Sequence, residues 1–253
     1  MVGSARVSTT SRRISVTSIP APVRRSLRPL IAPIVRHTPG RIVRWGTLRR
    51  LRPFSVHYGR DRGEPVDRRY IAAFMTAHAD VIRGDVLEVR EPLYAARAGS
   101  AVGQIHVVDI DSANRQATLI ADLTVVGSLP ASSYDCAIVT QTLQFLADVD
   151  ASIANLRQAL RPGGTLLLTV PCLSKVDHEA PASDYWRWTP AGLKVLLERG
   201  FPGDLVHVEG RGNVLASVAF LMGLAQEDLR EEELGFEDSR FPLVACARVD
   251  RRG

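Results

Sequence analysis

Residues 134–171 read YDCAIVTQTLQFLADVDASIANLRQALRPGGTLLLTVP, and this stretch decides the fold. Residues 134–140 (YDCAIVT) form a short continuous apolar run, the pattern of a strand covered on both faces. Residues 149–160 read as a helix stopped by Pro162-Gly163-Gly164. Residues 165–170 (TLLLTV) are a second apolar run. Strand, helix and strand in that order predict parallel strands with the helix crossing one face.

Working outward, the same alternation continues in both directions. Upstream, residues 68–82 place Ile71, Phe74, Met75, His78 and Ile82 at helical spacing, and Gly84 breaks the pattern. Three further strands are predicted at 85–89, 104–110 (QIHVVDI) and 117–123 (ATLIADL). Downstream, Thr189 reads as an N-cap and Pro190 as the first residue of a helix running to 199. A sixth strand at 205–208, an apolar helix at 214–224 and a seventh strand at 241–249 follow, with the last entering as the reversed partner of a hairpin.

Charge is divided unevenly. Residues 1–60 contain 13 Arg and no Lys, Asp or Glu, so the remaining 19 of the 32 basic residues face all 27 acidic ones. Residues 1–39 therefore read as a basic, disordered arm, with 40–253 as the folded domain. The arm suits an anionic partner or a solvated leader, and its Arg- and Ser-rich start also resembles an organelle transit peptide. Trp45, Leu48, Leu51, Phe54 and Tyr58 are expected to fold back onto the domain. No apolar run reaches the roughly 18 residues of a spanning helix, and no secretory start is evident, so a cytoplasmic location is expected. Cys136, Cys172 and Cys246 lack metal-ligand spacing, and no metal is expected.

Ligands of open α/β sheets bind beyond the carboxyl ends of the strands. Strand one ends at Glu88, strand two at Asp109 and strand three at Asp122-Leu123. An acid after strand two suits ribose hydroxyls. One after strand three suits an adenine amino group, with Leu123 against the ring.

VLEV at 86–89, VVDI at 107–110, ADL at 121–123, YDCAIVTQTLQFLAD at 134–148 and LRPGGTLLLTVP at 160–171 together resemble the ordered motifs of the type 11 group of class I S-adenosylmethionine-dependent methyltransferases. The resemblance covers roughly 68–200. It implies a Rossmann-like, seven-stranded, mostly parallel sheet with a reversed last strand and helices on both faces. It also implies S-adenosylmethionine as cofactor, methylation of an oxygen or nitrogen on a small-molecule or glycan acceptor, and Gln141 beside the cofactor's methionine part. No nucleic-acid partner is expected.

One departure stands out. The family places a glycine-rich loop after strand one, where this chain has Arg90-Glu91-Pro92-Leu93-Tyr94. Either an alternative loop presents Arg90 and Tyr94 to the cofactor, or the domain is a non-catalytic scaffold with a degenerate cofactor loop. A nicotinamide enzyme fits worse, because it needs G-x-G-x-x-G at this point. The loop after strand five supplies His178 as the first candidate for general base and Asp177 as the second. Trp186 and Trp188 are candidates for the acceptor pocket, and Arg187 for an acidic group or for pairing with Asp184.

Overall fold

The computed structural model describes residues 46–253. The arm expected over 1–39, and Trp45, lie outside the described residues. The chain divides after Arg50. Of the first unit, a single 3₁₀ turn (Gly46–Leu48) is described.

The second unit, from Leu51 onward, is built on a seven-stranded sheet. In chain order its main elements are α1 (Val66–Ala77), β1 (Arg83–Val89), α2 (Leu93–Ala98), β2 (Ala101–Asp109), β3 (Leu119–Ile120) and β4 (Tyr134–Thr140). These are followed by α3 (Val149–Ala159), β5 (Leu160–Pro171), α4 (Pro190–Gly200), β6 (Leu205–Arg211), α5 (Val214–Leu221), α6 (Glu231–Gly235) and β7 (Val244–Asp250). The strand order is β3-β2-β1-β4-β5-β7-β6. Neighbours from β3 to β5 pair parallel, and β7 pairs antiparallel with both β5 and β6. This is the expected seven-stranded sheet with a reversed last strand.

Alternating side chains feed two cores. Leu87, Ala137, Val139, Leu166 and Leu168 pack with Ile153 and Leu156 of α3 and Leu193, Leu196 and Leu197 of α4. Their neighbours Val86, Cys136, Ile138 and Leu167 pack on the opposite face with α1, α2 and α5. Period-two alternation splits the strands between the faces, and because both faces are covered successive positions at the strand centres are apolar. Burial pushes the Cys136 thiol up to about 12, as befits a core residue.

Several expected boundaries shift, among them the first helix, which ends at Ala77, and the last strand, which starts at Val244. Helix α3 stops at Ala159, before the proline-glycine pair, and β5 begins at Leu160. A residue ahead of proline disfavours helical backbone, so Arg161 is already extended and the strand runs through Pro162-Gly163-Gly164. Strand three, expected over 117–123, shrinks to Leu119–Ile120, because it is an edge strand with β2 as its sole partner. Helix α1 begins earlier than expected, at Val66.

The segment before α1 is held on the body as expected at two points. Phe54 N donates to Met222 O at 2.7 Å, and the Tyr58 ring stacks on Phe220 with centroids 5.6 Å apart. Gly223 permits this contact: its φ is +67°, and a Cβ there would lie 2.0 Å from Ser55 O. Leu51 is a correction, since its side chain is fully exposed.

Candidate functional site

Strand order reverses between β1 and β4: β2 and β3 extend to one side, β5, β7 and β6 to the other. The crevice at such a switch point is where open sheets bind ligands. A cleft of about 800 Å³ opens there. Its lining includes Glu88, Arg90, Tyr94, Asp109, Asp122, Leu123 and Gln141, so the structure brings all seven sequence-predicted cofactor residues to one cavity.

The two residues that leave the strands flanking the switch point share a property. Arg90, after β1, has φ +73°, and Gln141, after β4, has φ +47°. Left-handed backbone costs an L-residue roughly 1–2 kcal/mol and concentrates at functional sites. Arg90 thus adopts a conformation ordinarily given to glycine. Two hydrogen bonds hold it: Arg90 N donates to Val108 O at 2.9 Å, and Arg90 O accepts from Asn114 Nδ2 at 2.7 Å. Gln141 N is anchored to Thr169 O at 2.8 Å.

Asn114 also donates to Asp109 Oδ2 at 2.7 Å, tying the loop after β1 to the acid at the end of β2. The sequence reading missed this residue, because a polar residue in a turn carries no distinctive spacing. Asp109 Oδ1 accepts from Asp111 N, and Asp111, which also lines the cleft, accepts from Ala113 N through its Oδ1. Asp122 Oδ1 accepts from both Thr124 N and Thr124 Oγ1. Leu123 is buried against the core under the cleft.

Glu88 is 2% exposed. Its carboxylate accepts from Tyr94 N at 2.8 Å and Ala95 N at 2.9 Å, at the start of α2. Burial pushes its pKa up to about 7 although the backbone amides pull the other way. Both oxygens are therefore committed to shaping the loop that glycine shapes elsewhere. Burial raises the Tyr94 phenol, and the nearby Arg68 charge pulls the other way.

A smaller cavity of about 110 Å³ adjoins the cleft and shares Arg60, Arg68, Arg90, Gln141 and Phe145 with it. Asp177 lines it, whereas His178 does not. The His178 side chain is 47% exposed, and its ring meets Lys175 and the edge of His57. The loop after β5 contributes Ser174, Asp177, Asp184 and Arg187 to the smaller cavity, so it is Asp177 and not His178 that it turns inward. Asp177 Oδ2 accepts from Tyr58 OH at 3.1 Å, Oδ1 accepts from Glu179 N at 2.8 Å, and Asp177 N donates to Asp184. Burial would raise the Asp177 carboxyl, but these donors and the Lys175 charge hold it below its usual range. Tyr58 in turn is pushed up to about 12 by burial and by Asp177.

Arg187 forms a two-pronged pair with Asp184, at 2.5 and 2.8 Å. Trp186 and Trp188 line neither cavity; Trp186 Nε1 instead anchors the loop to Leu146 O at 2.9 Å. The residues missed on this side, Tyr58, Arg60, Asp67, Arg68 and Gln144, come from segments without strand-end placement. Asp67 in particular sits in the first turn of α1, where an acid reads simply as a favourable helix start.

Among the described residues, no helix is long and apolar enough to cross a membrane, and no group of three or more His, Cys, Asp or Glu is placed to hold a metal ion.

The family model described as a methyltransferase domain matches residues 90–168. That segment runs from Arg90 through most of β5. Among solved structures, a chain of the complex between the Haloferax volcanii Trm112 methyltransferase activator and a methyltransferase is 16% identical. The match covers 74% of this chain and 92% of that one, with a TM-score of 0.53. A methyltransferase structure from Bacillus halodurans is 13% identical over 73% of this chain and all of that one, with a TM-score of 0.50. At these identities the likeness is one of fold. No curated protein matches the chain. Residues 90–168 thus match a methyltransferase domain, and the sheet order and the cleft at its switch point are those of the Rossmann-like fold on which such domains are built.

Proposed function

We propose that the protein transfers a methyl group from S-adenosylmethionine to an oxygen or nitrogen of a small-molecule or glycan acceptor. The observation that carries this reading is the convergence on one cleft of seven residues that end or follow strands β1 to β4, a cleft whose volume lies within the range of cofactor sites.

In this reading Asp109 accepts hydrogen bonds from the ribose hydroxyls, Asp122 takes the adenine amino group, and Leu123 packs on the ring. Gln141 and Arg90 flank the methionine part. Glu88 and Tyr94 act from beneath by fixing the loop. The bound cofactor supplies a sulfonium methyl already activated for in-line displacement. The chain's task is then to align the acceptor, exclude water and receive a proton. We assign the proton-receiving role to Asp177, which faces the adjoining cavity and is held ionised at neutral pH. His178, the first candidate in the sequence, is outside that cavity.

The missing glycine after β1 favours one competing reading, a scaffold that no longer binds cofactor. The left-handed Arg90 and its Asn114 brace argue against loop decay. Calorimetry with S-adenosylmethionine and S-adenosylhomocysteine separates the two. We expect saturable binding of both. No heat and no thermal shift at millimolar cofactor would establish the scaffold.

A further inference from the structure

Six buried polar side-chain atoms lack a hydrogen-bond partner among the described residues. Three of the six, Asp67 Oδ1, Gln144 Oε1 and Arg187 Nε, belong to residues that line the 110 Å³ cavity beside the cleft. Buried polar groups are ordinarily satisfied, so two unpaired acceptors and one unpaired donor on residues lining a single cavity need partners that water or a ligand supplies. Asp67 and Gln144 are 7% and 6% exposed, and their unpaired oxygens are themselves buried. The last torsions of carboxylates and amides are soft, and a small rotation presents either oxygen to the cavity.

The chemistry of the wall narrows the ligand. An ammonium group has donors for Asp67 and Gln144 but nothing for Arg187, and it would face Arg60, Arg68 and Arg90. A carboxylate suits the guanidinium groups but has no hydrogen for either unpaired oxygen, and it would face Asp67, Asp177 and Asp184. A hydroxyl donates and accepts at once and carries no charge. The volume corresponds to about three or four waters, enough for the hydroxyl-bearing edge of a larger molecule.

We propose that this cavity is the acceptor's pocket and that it takes the hydroxyl-bearing edge of a sugar-like polyol, with Asp67 and Gln144 accepting from its hydroxyls and Arg187 donating to one of them. The proposal rests on the methyltransferase reading and is tested with a separate readout. Saturation-transfer NMR on the full chain, with S-adenosylhomocysteine bound, would use methyl α-D-glucopyranoside, tetrahydropyran, ethanolamine and acetate as probes. We expect transfer to the glucoside alone, weakened at least about tenfold in Asp67→Asn and Gln144→Leu, with nucleoside affinity unchanged. Because Asp67 is held for a ligand and not for the fold, the melting temperature of Asp67→Asn should not fall. Absence of transfer to the glucoside while the nucleoside binds would overturn the proposal and leave the methyltransferase reading standing. Stronger transfer to ethanolamine or acetate would overturn it too, as would variants that bind like the parent. If the nucleoside itself fails to bind, the methyltransferase reading falls. The melting temperature of Asp67→Asn then still decides, a clear drop marking Asp67 as structural.

Discussion

The cofactor cleft and the acceptor cavity share a wall but are assembled in different ways. Most of the cleft is built from the carboxyl ends of β1 to β4, within about 55 residues of chain, with Arg60, Arg68 and Ser183 added from outside that span. The cavity draws Tyr58 and Asp67 from the chain before and at the start of α1, Gln144 from the turn after β4, and Asp177 and Arg187 from the loop after β5. Burial raises Glu88 under the cleft and Asp67 in the cavity, whereas hydrogen bonds and neighbouring cations hold Asp177 and Asp184 of the cavity below their usual range. A sheet positions the first region, and loops locked by side-chain bonds position the second.

The largest effect is expected on the acceptor side. With an acceptor that the protein methylates, Asp177→Ala should lower turnover by roughly 10²–10⁴-fold with nucleoside affinity intact, while His178→Ala changes it little. The reverse ranking would restore His178 and show that the loop after β5 rearranges on binding.

On the cofactor side, Asp109→Ala should weaken S-adenosylhomocysteine by about 10–150-fold, the equivalent of one charge-assisted hydrogen-bonded contact. Asp111→Ala should leave the affinity near that of the parent, because its carboxylate is spent on Ala113 N. Equal losses in a calorimetric comparison would mean that the end of β2 is not the ribose site.

The opposite titrations give a sign that can be checked. Glu88 has an ordinary value of 4.5 and a folded value of about 7, so the folded chain holds this proton more tightly than the unfolded one. Its contribution to stability therefore falls as pH rises from about 4.5 to about 7, by a few kcal/mol at most. Asp177 and Asp184 contribute in the opposite sense: their stability is present above the ordinary carboxylate range and is lost as pH falls through their lowered values. Urea unfolding of the parent and of Glu88→Gln across pH 4.5–7.5 should show the falling component in the parent and not in the variant. Parallel profiles would remove Glu88 as the titrating group.

The smallest effect concerns the loop itself. Arg90→Gly should be more stable than Arg90→Ala by about 1 kcal/mol, or roughly 2–4 °C in melting temperature, since glycine alone is at ease at φ +73°. Indistinguishable variants would show that the loop relaxes out of the left-handed region.

The fold and the cleft were legible because hydrophobic alternation marks strands, and a strand marks where its last acid points. Asp109 and Asp122 could be named from that logic alone. The exact spans of β3 and β5 were less legible: an edge strand pairs on one side, and Pro162 sets backbone geometry that composition does not reveal. The cavity was largely invisible. Asp67 and Gln144 look like an ordinary helix-start acid and an ordinary turn residue until tertiary packing brings them within one wall. His178 carries the side chain most often used as a general base, but nothing in the sequence indicates which of two adjacent residues a loop turns inward.

A crystal structure of the complex with S-adenosylhomocysteine tests the cofactor assignment most directly. We expect the ribose hydroxyls within hydrogen-bond distance of Asp109, the adenine amino group at Asp122, and Arg90 still left-handed beside the homocysteine part. A nucleoside bound elsewhere, or a cleft that stays empty at saturating ligand, would contradict it.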